Sequence, residues 1–147
     1  MRKIVILLAF AFCQTTQAQQ CTFEKSNGLE SATYFEAIDW YKNLDKKYTE
    51  VFVQEMGMTD AGYPLHVVLI SADGKFDAVQ WHKQIKVVIL INNGIHPGEP
   101  DGIDASMLLA RDIATKKISL PKNVALAFIP VYNIGGCLNR GSTSRAN

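Results

Sequence analysis

The run Val87-Val88-Ile89-Leu90-Ile91-Asn92-Asn93-Gly94-Ile95-His96-Pro97-Gly98-Glu99-Pro100-Asp101-Gly102 carries an imidazole and a carboxylate three residues apart, just after an apolar stretch. Both groups are ordinary ligands of Zn²⁺. Pro97 and Gly98 between them favour a sharp turn. Such a turn aims both side chains at one point beyond the end of a strand, which is where open α/β sheets bind their ligands. The spacing therefore predicts a metal site with His96 and Glu99 as two of its ligands. A competing reading has Glu99 capping a helix start, favoured by the helix dipole; it leaves the histidine and the Pro-Gly turn unexplained.

A metal with three protein ligands and one open position polarises a carbonyl and brings the pKa of a bound water to about 7. That combination suits amide hydrolysis. It also calls for a cation to stabilise the oxyanion and for a carboxylate to act as general base and then protonate the leaving amine.

The elements that position this loop are legible in the pattern. Thr33 and Glu36 have capping-box spacing. Phe35, Ile38, Tyr41 and Leu44 follow at helical intervals, with Tyr34 and Trp40 beside them, so a helix is predicted over 34–47. Its stripe reads as core. Two strand-like runs, 50–58 and 64–71, flank Thr59-Asp60-Ala61-Gly62 and predict a hairpin. A loop is expected through Lys83, holding Trp81 as a packing residue and His82. The continuous apolar run 86–91 predicts a strand covered on both faces. A helix capped by Asp101 or Asp104 should run to about Thr115, with Asp101 and Asp104 serving as cap and solvent residues. A second buried strand is expected over 124–131, then a turn through Asn133 and Gly136, with Tyr132 as packing. The segment 19–32 reads as an irregular lead-in. The order of helix, hairpin, strand, helix and strand predicts an α/β fold: a mixed parallel and antiparallel sheet flanked by helices.

The ends and the composition bound the rest. Met1-Arg2-Lys3, an apolar stretch over 4–12 and Thr16-Gln17-Ala18 read as a cleavable signal peptide over 1–18, leaving 19–147 as the mature domain. Periplasmic or secreted localisation is expected, without stable membrane insertion after cleavage. Removing Arg2 and Lys3 leaves 13 basic against 14 acidic residues, a balance of −1. This argues against a nucleic-acid partner and against strong attraction to anionic lipid. Cys13 leaves with the signal. Cys21 and Cys137 remain where a disulfide is permitted, and the sequence leaves open whether they pair.

These residues resemble the N-terminal part of the zinc carboxypeptidases typified by pancreatic carboxypeptidase A. His96-Pro97-Gly98-Glu99 matches that family's His-x-x-Glu zinc motif. Asn133-Ile134-Gly135-Gly136 is similar to its Asn-Pro-Asp-Gly turn, with Gly135 in place of the aspartate. Arg145 falls where the family places a carbonyl-polarising arginine, and Arg140 is the competing candidate. The order of elements also matches. The resemblance implies a carboxypeptidase-like fold, a Zn²⁺ cofactor bound by His96 and Glu99, and a peptide substrate with a free C-terminus. A further arginine would clamp the substrate carboxylate in a fork geometry.

The family's third zinc ligand, its carboxylate-binding Asn-Arg pair, its pocket tyrosine and its catalytic glutamate lie downstream of the motifs matched here. His66 and His82 lie upstream of His96 and are not expected to replace the missing ligand. The chain is therefore expected to be an N-terminal portion, truncated on its C-terminal side, inactive alone and bearing a half-built sheet edge. Two alternatives stand beside this. One is a related zinc amidohydrolase acting on cell-wall peptides or N-acyl amino acids. The deacylases typically carry Gly directly after the histidine, where this chain has Pro97. The other is an inactive remnant or binding domain.

Overall fold

The computed structural model describes residues 19–96 and 98–141. The signal-peptide reading, Cys13, Pro97 and Arg145 lie outside the described residues. The elements are α1 (Thr22–Lys25), α2 (Tyr34–Asp45), β1 (Val51–Met58), β2 (Pro64–Ser71), α3 (Ala78–Lys83), β3 (Val87–Asn92), α4 (Asp101–Ala114), β4 (Val124–Ile129) and α5 (Ile134–Leu138).

Helix α2 begins where the capping box places it. The Thr33 hydroxyl accepts from the Glu36 amide, and the Glu36 carboxylate accepts from the Thr33 amide. Tyr34, Ala37, Ile38, Trp40, Tyr41 and Leu44 are buried, whereas Phe35 is half-exposed against Tyr63. The inward stripe is thus one residue out of phase with the predicted one at its start.

The sheet has the order β1-β2-β4-β3. β1 and β2 form the expected antiparallel hairpin, β2 pairs antiparallel with β4, and β3 runs parallel to β4. The hairpin and the strand-helix-strand unit therefore meet along the β2–β4 seam. Val68 and Ile70 of β2 and Leu126 and Phe128 of β4 pack in one cluster with Tyr41 and Leu44 of α2 and Ile103, Met107 and Ala110 of α4.

Several expectations need correction. The apolar run of β3 is not covered on both faces: Val87, Val88, Ile89 and Leu90 are 45–62% exposed. β3 sits at the edge of the sheet, so only β4 flanks it, and a side chain's burial depends on what lies across from it rather than on its own hydropathy. The predicted loop before β3 contains α3, capped by the Asp77 carboxylate, which accepts from the Val79 and Gln80 amides. His82 is therefore helical and exposed. The lead-in contains α1, and the turn after β4 continues into α5. Helix α4 starts after Pro100 with no side-chain cap. Asp104 is buried rather than solvated, and it accepts from the Ala32 amide at 3.2 Å. Cys21 and Cys137 are both buried free thiols.

Lys86, immediately before β3, is a buried cation. Its ammonium donates to the Ser71 hydroxyl at 2.9 Å and to both Asp73 oxygens at 3.2 Å, and it lies 5.6 Å from the centre of the Trp81 ring. The Ser71 hydroxyl and the Lys86 ammonium hold the Asp73 carboxyl down at about 2. This contribution is fully present above the ordinary carboxyl value of 3.8 and is lost as the pH falls through about 2. Replacing Asp73 with Ala strands a buried ammonium and should destabilise by about 2–3 kcal/mol, whereas Lys86→Met, which keeps the stem's packing, should cost about 1 kcal/mol or less. Urea titrations at pH 7 check that order. The gap between parent and D73N should narrow between pH 4 and pH 2.

Candidate metal centre

The two predicted ligands lie just beyond the C-terminal end of β3. The strand ends at Asn92, and the chain leaves it with Gly94 at φ +62°. A Cβ at Gly94 would stand 3.3 Å from both Ile103 and Val131, so this bend depends on a missing side chain as well as on the positive φ. His96 and Glu99 are joined by a turn in which the Glu99 amide donates to the His96 carbonyl at 2.9 Å.

That turn brings His96 Nδ1 to 3.7 Å from a Glu99 carboxylate oxygen. The separation is longer than a hydrogen bond. Two ligands of one tetrahedral Zn²⁺, each at about 2.0–2.2 Å, stand about 3.3–3.6 Å apart. The pair thus fits a shared ion with little adjustment. Both side chains remain accessible, at 29% for His96 and 53% for Glu99.

The parallel pairing of β3 and β4 continues past the ends of the strands. The Tyr132 amide donates to the Asn93 carbonyl at 2.8 Å, and the Asn133 amide to the Gly94 carbonyl at 3.0 Å. The segment after β4 therefore runs beside the His96 loop. Asn133 then caps α5, its side-chain oxygen accepting from the Gly136 amide at 2.9 Å. The resemblance to the Asn-Pro-Asp-Gly turn thus marks a helix start rather than an isolated turn.

A cleft of about 790 Å³ opens between these segments. Ile95 and His96 form one wall, Tyr132 to Gly135 a second, and Thr59, Asp60, Ala61 and Leu65 of the hairpin a third. Tyr132 is 54% exposed and lines this cleft, so it is not the packing residue expected. The hairpin turn was also unforeseen here. Nothing in its local pattern marks it, because its place at the cleft comes from the β2–β4 seam.

The remaining candidates lie elsewhere. Arg140 donates to the carbonyls of Ala32 and Ser31 at 3.2 and 3.1 Å and so ties the lead-in to the segment after α5. His66 is buried in β2, its Nδ1 3.5 Å from the Tyr34 hydroxyl and its Nε2 3.4 Å from Glu55. Burial, reinforced by the Lys42 charge and opposed by Glu55, lowers its pKa and favours the neutral ring. Trp81 is buried as expected. Among the described residues, no three His, Cys, Asp or Glu side chains gather into a metal-binding group, so neither His66 nor His82 joins His96 and Glu99. Nor is any described helix long and apolar enough to cross a membrane.

A family model described as zinc carboxypeptidase matches residues 37–146. No curated protein matches the sequence significantly. Among solved structures, the chain is similar to carboxypeptidase A from Helicoverpa armigera, with a TM-score of 0.62 and 21% identity. It is similar also to bovine thrombin-activatable fibrinolysis inhibitor in complex with a tick carboxypeptidase inhibitor, with a TM-score of 0.64 and 19% identity. These matches cover 75% and 80% of this chain but 26% and 37% of the other chains. The fold is thus shared with these proteins over about a quarter to a third of their length.

The Gly94 bend gives a direct test. Gly94→Ala should lower stability by about 1–3 kcal/mol through the positive φ and the crowding at Ile103 and Val131. Thermal unfolding monitored by circular dichroism would measure it.

Proposed function

Because the chain belongs to the zinc carboxypeptidase family, we propose that it contributes the first part of a secreted metallocarboxypeptidase site, with His96 and Glu99 as two Zn²⁺ ligands. The observation that carries this is the 3.7 Å approach of the Glu99 carboxylate to Nδ1 of His96, a residue that lines an open cleft. When bound, Zn²⁺ supplies an electrophile for the scissile carbonyl and an activated water at neutral pH.

The chain's own residues then have distinct tasks. His96 would present Nδ1 and Glu99 a carboxylate oxygen to the ion, a reading supported by their 3.7 Å separation across the turn that joins them. Ile95 and Tyr132 offer apolar surface for a peptide beside that point, while the hairpin turn closes the far side. Arg145 is assigned the role of donating hydrogen bonds to the carbonyl oxygen as negative charge develops on it. Arg140 is a poorer candidate, because its guanidinium already serves two backbone carbonyls. The substrate is a peptide with a free C-terminus. Among the described residues no third side chain joins this pair in a metal-binding group, and this chain alone is expected to hydrolyse nothing.

Titration calorimetry with Zn²⁺ tests the ligand assignment. The chain should bind one ion, and His96→Ala or Glu99→Ala should each weaken binding at least tenfold. Binding that survives both substitutions would overturn the site. A peptide assay of the Zn²⁺-loaded chain should show no release of the C-terminal residue. Measurable release, abolished by amidating the peptide's C-terminus, would establish the carboxypeptidase reading and refute the predicted inactivity.

A further inference from the structure

Asn93 is a buried carboxamide three residues before His96. Its side chain bonds two elements at once. Nδ2 donates to the Ile129 carbonyl at the end of β4, at 3.3 Å, and Oδ1 accepts from the buried Ser106 hydroxyl on α4, at 3.2 Å. Its backbone bonds the same neighbourhood, donating to the Ile129 carbonyl at 3.0 Å and accepting from the Tyr132 amide at 2.8 Å.

Helix α4 also rests directly against this side chain. A Cβ on Gly102 would come within 2.9 Å of Asn93 Oδ1, so a glycine at the helix's first turn lets it approach. The segment 94–100 leaves from Asn93 and returns at the start of α4, carrying His96 and Glu99 on its way. The carboxamide therefore pins the two ends of that loop to each other. The exit side sets His96, and the return side sets Glu99. Without the pin, both backbone anchors persist at β4, but the link to α4 through Ser106 is gone.

Resting on the metal assignment above, we infer that Asn93 is a positioning residue for the metal pair, holding the His96 and Glu99 ends of the loop in register through Ser106 of α4 and Ile129 of β4. A buried amide suits this task because it donates and accepts in opposite directions without charge. Outer-layer hydrogen bonds that orient ligands typically govern metal affinity by 10–100-fold.

The test uses this chain, with Zn²⁺ affinity measured by competition against a fluorescent chelator and amide hydrogen exchange measured across the loop. Asn93→Ala should weaken Zn²⁺ binding about tenfold and speed exchange at Gly94, Ile95 and Glu99, while the β1–β2 hairpin keeps its protection. Ser106→Ala should act in the same direction, and the double variant should be little worse than Asn93→Ala alone, because both remove one shared contact. Ser71→Ala, which disturbs a buried hydroxyl outside this contact, should lower stability and leave Zn²⁺ affinity unchanged. If Asn93→Ala fails to fold, Ser106→Ala and Gly102→Ala carry the same expectation. Parent-like affinity and loop exchange in the folded variants would overturn the inference. His96→Ala separates the two ideas. If it weakens binding and Asn93→Ala does not, the positioning role falls alone. If it leaves binding unchanged, the metal assignment falls, and the exchange data alone decide whether Asn93 pins the loop.

Discussion

The parallel pairing of β3 with β4, extended beyond the strand ends, is the constraint on which the site depends. Two further backbone bonds, Tyr132 to Asn93 and Asn133 to Gly94, carry the pairing into segments that are no longer strand. They fix the direction in which the His96 loop departs and lay Tyr132 and Asn133 beside it. Adjacent parallel strands present their carboxyl ends side by side, and the loops leaving them bound a crevice. Here His96 lines that crevice, with the Glu99 carboxylate 3.7 Å from its Nδ1.

A second constraint acts at the other end of β3. Lys86, immediately before the strand, is a buried cation neutralised by Asp73, with Ser71 and the Trp81 ring completing its surroundings. Such a pair adds little net stability over an apolar replacement, but it penalises any arrangement that separates its partners. It ties the start of β3 to the turn after β2, although the two strands are not neighbours in the sheet. The edge strand is therefore anchored at its base by charge and at its tip by the bonds to β4, while its middle, Val88 to Leu90, stays half-exposed.

That exposure sits beside the fraction of the relatives' length that this chain covers. It spans 26% and 37% of the two structures described. An apolar edge with neither charge nor proline along Val87–Asn92 is a surface that strands join readily. The described residues complete one layered core, in which α2 and α4 pack against β2 and β4. Among the described residues, no third His, Cys, Asp or Glu joins His96 and Glu99 in a group that could hold a metal.

Much of this was legible in the residues themselves. The capping box at Thr33 and Glu36, the hairpin around Thr59 to Gly62 and the close approach of His96 to Glu99 are local signals, each decided by groups within a few positions of one another. Local chemistry also explains why α3 and α5 were hidden: each is short and starts at a lone Asp or Asn cap, a pattern equally suited to a turn. What sequence could not give was adjacency. The apolar run of β3 suits a covered strand or an edge equally well, and only the order β1-β2-β4-β3 decides between them. The same order carries Thr59 to Ala61 to the cleft, turns Tyr132 outward and buries Asn93 against Ser106. The sequence determined which groups could bind a metal, because ligand chemistry resides in side-chain type and short spacing. The tertiary structure alone decided what surrounds them, because burial and distance arise from elements far apart in the chain.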